Sequence, residues 1–198
     1  SMAKAFTAAA VVLLAQQGKL SLDDDIRKHI PELPDFGVRI TVRHLLHHTS
    51  GLRCGLWDVA GWREDVHTED DMLELLSRQK ELSFRPGATY AYCNTGYELL
   101  TIIIKRVSGQ SFREFTRANI FEPLGMKSSF FRDDHAEVVK NVAYGYDPTS
   151  GGTFRAAFPH WDAVGATGLL TTAEDLALWE QNSYEPRVGG KALIEQLR

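Results

Sequence analysis

The sequence has little sulfur, no surplus of positive charge and no apolar run long enough for a membrane, and each shortage excludes a class of protein. Cys54 and Cys93 are the only cysteines, so there is no disulfide framework and no zinc site built from four thiolates. Two thiols leave the redox compartment open. Net charge is -4, with Lys and Arg scattered among acids, which excludes the clustered cationic face that nucleic-acid phosphates require. No stretch approaches the ~20 apolar residues of a bilayer-spanning helix. Low-complexity tracts, repeats and linkers are missing too, so the 198 residues read as one domain, or as one and a fraction.

Lys4 followed by the apolar run 5–15 has the outline of a secretory signal. Gln16, Gln17, Gly18 and Lys19 follow it without a small-x-small cleavage site, and the chain passes directly into Leu20, Leu22 and Asp23–Asp25, so the run reads instead as a buried helix over 2–17 closed by Gly18. A short polar helix or turn over 22–30 is stopped by Pro31 and Pro34. Thr41 caps a helix reaching His48, which Ser50-Gly51 breaks. Thr68 caps the next, with Asp71 in the capping-box position. An apolar helix covers 94–107, Ser111 and Glu114 open another that Pro123-Leu124-Gly125 ends, and Thr172 caps a last one with Asp175 at its third position. Only 142–158, around Asp147-Pro148 and Gly151-Gly152, alternates weakly enough to suggest a hairpin. A mostly helical chain with one hairpin makes better sense as part of something larger.

Two short motifs carry chemistry. Ser1-Met2-Ala3-Lys4 opens the most apolar helix, and residues three apart on a helix are surface neighbours, so the Lys4 ammonium lies beside the Ser1 hydroxyl. The helix N-terminus favours a developing alkoxide, and burial lowers a lysine pKa toward the range where it accepts a proton. The same tetrapeptide spacing at Ser77–Lys80 sits on a polar helix end and reads as chance. In Tyr92-Cys93-Asn94 the phenol and carboxamide stand two apart in a loop and project to one side. A neighbouring cation lets such a phenol shuttle protons, and the amide can hold a lysine and a substrate carbonyl. Taken alone, Tyr92 reads as a core tyrosine and Asn94 as a helix cap.

Together with Gly18-Lys19-Leu20, Leu22-Asp23-Asp24, the turn Leu45-Leu46-His47-His48-Thr49-Ser50-Gly51-Leu52, Pro86-Gly87, Asn94-Thr95-Gly96-Tyr97, Pro123-Leu124-Gly125-Met126 and Gly168-Leu169-Leu170-Thr171-Thr172-Ala173-Glu174-Asp175-Leu176, these motifs resemble, in order, class C β-lactamase and penicillin-binding-protein-like serine hydrolases; Ser-x-x-Lys is a known signature of that superfamily. The resemblance implies an α+β fold, mostly helical in this segment and lacking most of its antiparallel sheet. It implies Ser1 as the acylating nucleophile, Lys4 as its activator, Tyr92 as general base and Asn94 as a substrate-positioning group. The Ser1 backbone N–H would supply half of an oxyanion hole, and His47, His48 and Ser50 would be structural. No cofactor or metal is implied. The partner is a small-molecule or peptide substrate bearing an ester, amide or lactam, in a periplasmic or secreted protein.

Two departures stand out. The family's third motif, Lys or His before a small residue and Gly on a strand, has no counterpart, since Arg187-Val188-Gly189 falls in a loop. The strands that should precede Ser1 and follow the last helix are also missing. The chain therefore reads as part of a domain, inactive by itself, with Phe6, Val11, Leu14 and Leu169 left short of partner surface. A zinc site on His44 and His48 lacks the Glu of the zincin pattern and a third ligand. A non-catalytic binding module is the remaining alternative, but it would need none of Ser1, Lys4, Tyr92 and Asn94.

Overall fold

The computed structural model describes residues 1–55, 66–157 and 161–197. Helix α1 (Ala3–Gln16) is the axis of the core. Phe6, Ala9, Ala10, Val11 and Leu14 are fully buried, because an Ala-rich helix of small section lets neighbours close on it from several sides. Gly18, with φ of +68°, turns the chain off its end. A 3-10 turn (Ile26–Lys28) and α2 (Val42–Leu46) follow, the latter capped by Thr41, whose hydroxyl accepts from His44 N–H while His44 Nδ1 accepts from Thr41 N–H. Thr68 and Asp71 close the same reciprocal box on α3 (Glu69–Ser77). Helix α4 (Asn94–Ser108) lies along α1 with Leu99, Leu100, Ile103 and Ile104 fully buried, and ends in left-handed Gly109. Ser111 caps α5 (Phe112–Thr116), which widens into a π-helical turn (Arg117–Phe121) and then α6 (Glu122–Leu124). Capped by Thr172, α7 (Ala173–Gln181) precedes α8 (Gly190–Leu197), which returns against α1.

Sheet is scarce among the described residues. Strand β1 (Phe130–Phe131) pairs antiparallel with β4 (Leu169–Leu170), and β2 (Gly145–Pro148) with β3 (Phe154–Ala157). The second pair is the hairpin expected over 142–158, with Phe158 outside the described residues. The fold is thus the mostly helical, sheet-poor form that the motifs implied.

Two expectations are corrected. Phe6, Val11 and Leu14 do not lack partners: each is fully buried, and Phe6 packs its ring 4.6 Å from that of Trp179 and 5.3 Å from that of Phe121. The chain's own α4, α5, π turn, α7 and α8 cover this helix, and only Leu169 is left half-buried. Nor are the cysteines free. Cys54 and Cys93, with Cα atoms 5.4 Å apart, form a disulfide, a pairing set by tertiary proximity over 39 positions.

Candidate active site

Four segments meet at the start of α1. The Lys4 N–H donates to the Ser1 carbonyl at 3.2 Å, so the helical turn already runs from Ser1 and sets the two side chains on one edge. Ser1 Oγ lies 2.7 Å from Tyr92 Oη and accepts from Lys4 Nζ at 3.4 Å. Lys4 Nζ also donates to Asn94 Oδ1 at 2.8 Å and to the Ala166 carbonyl at 3.0 Å. Lys4 is 7% exposed and Tyr92 48%, so the cation is fixed in the wall while phenol and hydroxyl meet solvent. Three acceptors match the three N–H donors of an ammonium, which satisfies a charge that would otherwise be costly to bury. The same ammonium lies 4.9 Å from the centre of the Tyr92 ring and 5.4 Å from that of Tyr97.

This geometry sets the acidity of the phenol. Burial raises the Tyr92 pKa, but the Lys4 ammonium and the hydrogen bond with Ser1 outweigh it, and the pKa is lowered from 10.0. Tyr97, deeper and beside the other phenols, is instead pushed up by burial to about 12; its hydroxyl donates to the Leu46 carbonyl at 2.9 Å. The two tyrosines of one helix start are thereby separated, the outer made more acidic and the inner kept neutral.

Ser1, Lys4, Tyr92 and Asn94 thus converge, Ser1 meeting Tyr92 across 91 positions of sequence and Lys4 meeting Asn94 across 90. Residues that the sequence reading did not place in the site also build it. The Ala166 carbonyl comes from the turn 163–168, held by Thr7 Oγ1 donating to the Gly165 carbonyl at 2.9 Å. Gly165 has φ of +101°, and a Cβ there would lie 2.9 Å from the Tyr97 carbonyl, so only glycine permits this approach; the pair Gly165 and Gly168 in an otherwise apolar stretch was the signal available. His48 flanks the site, its ring 4.5 Å from that of Tyr92, and the disulfide reaches it through Cys93. Ser50 is buried, and its Oγ accepts from Leu52 N–H at 3.3 Å.

The histidines of the rejected zinc reading are both engaged: His44 Nδ1 in its capping box and His48 Nδ1 with Cys93 N–H. Among the described residues, Asp134, His135 and Asp162 each place one possible ligand atom within 4.8 Å of the others. There the Asp162 carboxylate faces both the ring and the backbone N–H of His135, an internally bonded turn remote in the chain from Ser1. Ser77 is exposed and donates to the Glu74 carbonyl, a solvated helix end as expected. No described helix is long and apolar enough to cross a membrane.

A serine, a buried lysine and a tyrosine joined at the start of a core helix, on this frame, define the β-lactamase and penicillin-binding-protein class. The sequence matches the family described as Beta-lactamase over residues 1–198 and belongs to it, a family of serine hydrolases. It is 36% identical over 151 residues to penicillin-binding protein 4* of Bacillus subtilis, covering 74% of this chain and 33% of that protein. The octameric penicillin-binding protein homologue from Pyrococcus abyssi superposes with a TM-score of 0.84 at 34% identity, over 98% of this chain and 46% of the other. The D-amino acid amidase from Ochrobactrum anthropi SV3, complexed with D-phenylalanine, gives 0.82 at 27% identity over 98% and 58%. The chain spans about a third of the length of the first of these relatives and under half of the second.

Proposed function

We propose that this chain is the nucleophile-bearing, helical part of a β-lactamase-related domain, and that the whole protein hydrolyses an ester, amide or lactam through an acyl-enzyme on Ser1. The observation that carries the reading is the 2.7 Å contact between Ser1 Oγ and a phenol made more acidic by Lys4. In acylation, Tyr92 as phenolate takes the Ser1 proton while Oγ attacks the substrate carbonyl carbon. The tetrahedral oxyanion is met by the Ser1 backbone N–H and by a second donor that the family resemblance places on a sheet strand. Collapse expels the leaving group, which takes its proton from Tyr92. Water then attacks the acyl carbon with the same base, and Ser1 recovers its proton. Lys4 keeps the phenol acidic and holds Asn94, whose amide nitrogen stays available to a substrate carbonyl.

Relatives that are a penicillin-binding protein and a D-amino acid amidase favour acyl groups of D-amino-acid type over simple esters. The test offers the protein p-nitrophenyl esters, D-alanyl peptides and a chromogenic β-lactam. The expectation is a burst of the first product stoichiometric with enzyme, lost in Ser1→Ala. No burst with any of the three, together with no mass adduct on Ser1, would leave the binding-module alternative standing.

A further inference from the structure

One residue behind the site grips the whole segment that carries Tyr92. The His48 carbonyl accepts from Ala91 N–H at 2.9 Å, and His48 Nδ1 accepts from Cys93 N–H at 3.1 Å. Between these two bonds the His48 ring lies on the Tyr92 ring with centroids 4.5 Å apart, and on that of Tyr97 at 5.1 Å. Both hydrogen bonds fix the backbone on either side of Tyr92, and the ring contact fixes its side chain. His48 also has φ of +58°, a left-handed conformation uncommon for a residue with a β-carbon. The turn accommodates histidine, one of the few side chains enriched at positive φ, while its ring and Nδ1 are engaged with the Tyr92 segment.

We infer that His48 is a positioning residue for the tyrosine base, acting through a neutral imidazole whose Nδ1 holds Cys93 N–H. The inference deepens the reading of Tyr92 as the base and rests on it. An acceptor at Nδ1 leaves the ring proton on Nε2. Protonation at Nδ1 would set an N–H against the Cys93 N–H, break that bond and place a second cation beside Lys4. The groups facing the ring are the cations of Lys4 and, when protonated, His47, and the phenols of Tyr90, Tyr92 and Tyr97. Burial first, and then Lys4, lower the His48 pKa from 6.5, so the clamp is intact at neutral pH and opens only in acid.

Two variants, His48→Asn and His48→Ala, separate this role from packing. Asparagine at 48 keeps an acceptor bonded to Cγ, tolerates positive φ and does not titrate; alanine keeps neither acceptor nor ring. With a fluorophosphonate as probe, His48→Ala should label Ser1 roughly 10- to 100-fold more slowly, the loss expected when a reacting group is misplaced by about 1 Å. His48→Asn should recover most of that loss. The wild-type rate should also show an extra fall below pH 6.5 that His48→Asn lacks, on top of the Tyr92 dependence they share. In wild type, ring ¹⁵N shifts should report the Nε2–H tautomer down to below pH 6.5. An Nδ1–H tautomer at neutral pH, wild-type labelling by His48→Ala, or an acid fall that persists in His48→Asn overturns the inference. If His48→Ala does not fold, the tautomer and the asparagine profile still decide it. Labelling that survives Ser1→Ala would instead sink the nucleophile reading, leaving the tautomer and the effect of His48→Ala on the Tyr92 phenol pKa to judge His48.

Discussion

At the scale of single residues the site is organised by the charge on Lys4. Its ammonium spends one N–H on Ser1, one on Asn94 and one on the Ala166 carbonyl, and together with the Ser1 hydrogen bond it holds the Tyr92 pKa below its ordinary value against the opposing effect of burial. Replacing Lys4 by methionine, similar in length and uncharged, removes the larger lowering cause and leaves the burial and the Ser1 hydrogen bond. The Tyr92 pKa should then rise, measured as phenolate absorbance against a Tyr92→Phe reference. An unchanged phenol would mean that Lys4 does not tune it. The sign of the pH dependence follows: in wild type, Ser1 acylation should climb with pH and level off below pH 10.0, while in Lys4→Met any residual rate should level off at a higher pH than in wild type. Ser1, Lys4, Tyr92 and Asn94 were legible in sequence because the Ser-x-x-Lys and Tyr-x-Asn spacings sit among the ordered motifs of the family resemblance. Ala166 was not, since it acts through a backbone carbonyl that every residue possesses, and His48 was read as a turn residue because its grip on Cys93 spans 45 positions.

Elements that begin with a cap were read with little error, because an N-cap is a signal carried by one hydroxyl and the residue three further on. Thr41, Thr68, Ser111 and Thr172 each accept from the expected N–H. What escaped was set by packing rather than local pattern. Strands β1 and β4 are two residues each, too short for any alternation to register. The π turn at Arg117–Phe121 lies inside a segment that reads as one helix. Helix α8 begins at Gly190, directly after another glycine, a pair that reads as a loop, although Leu193 and Ile194 are buried within the helix. Asp175 shows how such pieces are joined: 6% exposed, it accepts from Ser128 N–H at 2.8 Å and from Ser129 Oγ at 2.7 Å, so that the start of α7 holds the entry to β1. Asp175→Ala removes the carboxylate that accepts both bonds, although Ser129 Oγ keeps Thr171 Oγ1 at 2.7 Å as a partner. It should lower stability by roughly 1–3 kcal/mol, the range for lost hydrogen bonds to a charged group, read from the urea midpoint at unchanged slope. A loss under about 0.5 kcal/mol, the range of ordinary surface changes, would show that the strand entry is held by something else.

The whole chain is built around α1, which supplies both the core and the first two residues of the site. That coupling explains why the most apolar helix carries the candidate site: a lysine can be buried in a wall only where neighbouring elements bring acceptors to it. The turn 163–168 and the start of α4 do so from opposite sides of the sequence. It also explains why Phe6, Val11 and Leu14 are fully buried among the chain's own helices. Gly165→Ala should test this closure. Its Cβ would press on the Tyr97 carbonyl and the Thr101 side chain, pushing the Ala166 carbonyl away from Lys4. Both the melting temperature and the Tyr92 pKa should therefore move, whereas a change in the first alone would separate core from site.

The central claim is that Ser1 is a nucleophile activated by Tyr92. The direct measurement is the rate of covalent labelling by a fluorophosphonate, with the adduct located by peptide mass. Wild type should carry the adduct on Ser1, Ser1→Ala should carry none, and Tyr92→Phe should label more slowly by a factor of roughly 10² to 10⁴, the usual contribution of a general base. Equal labelling of wild type and Ser1→Ala, or a Tyr92→Phe rate equal to wild type, would contradict it.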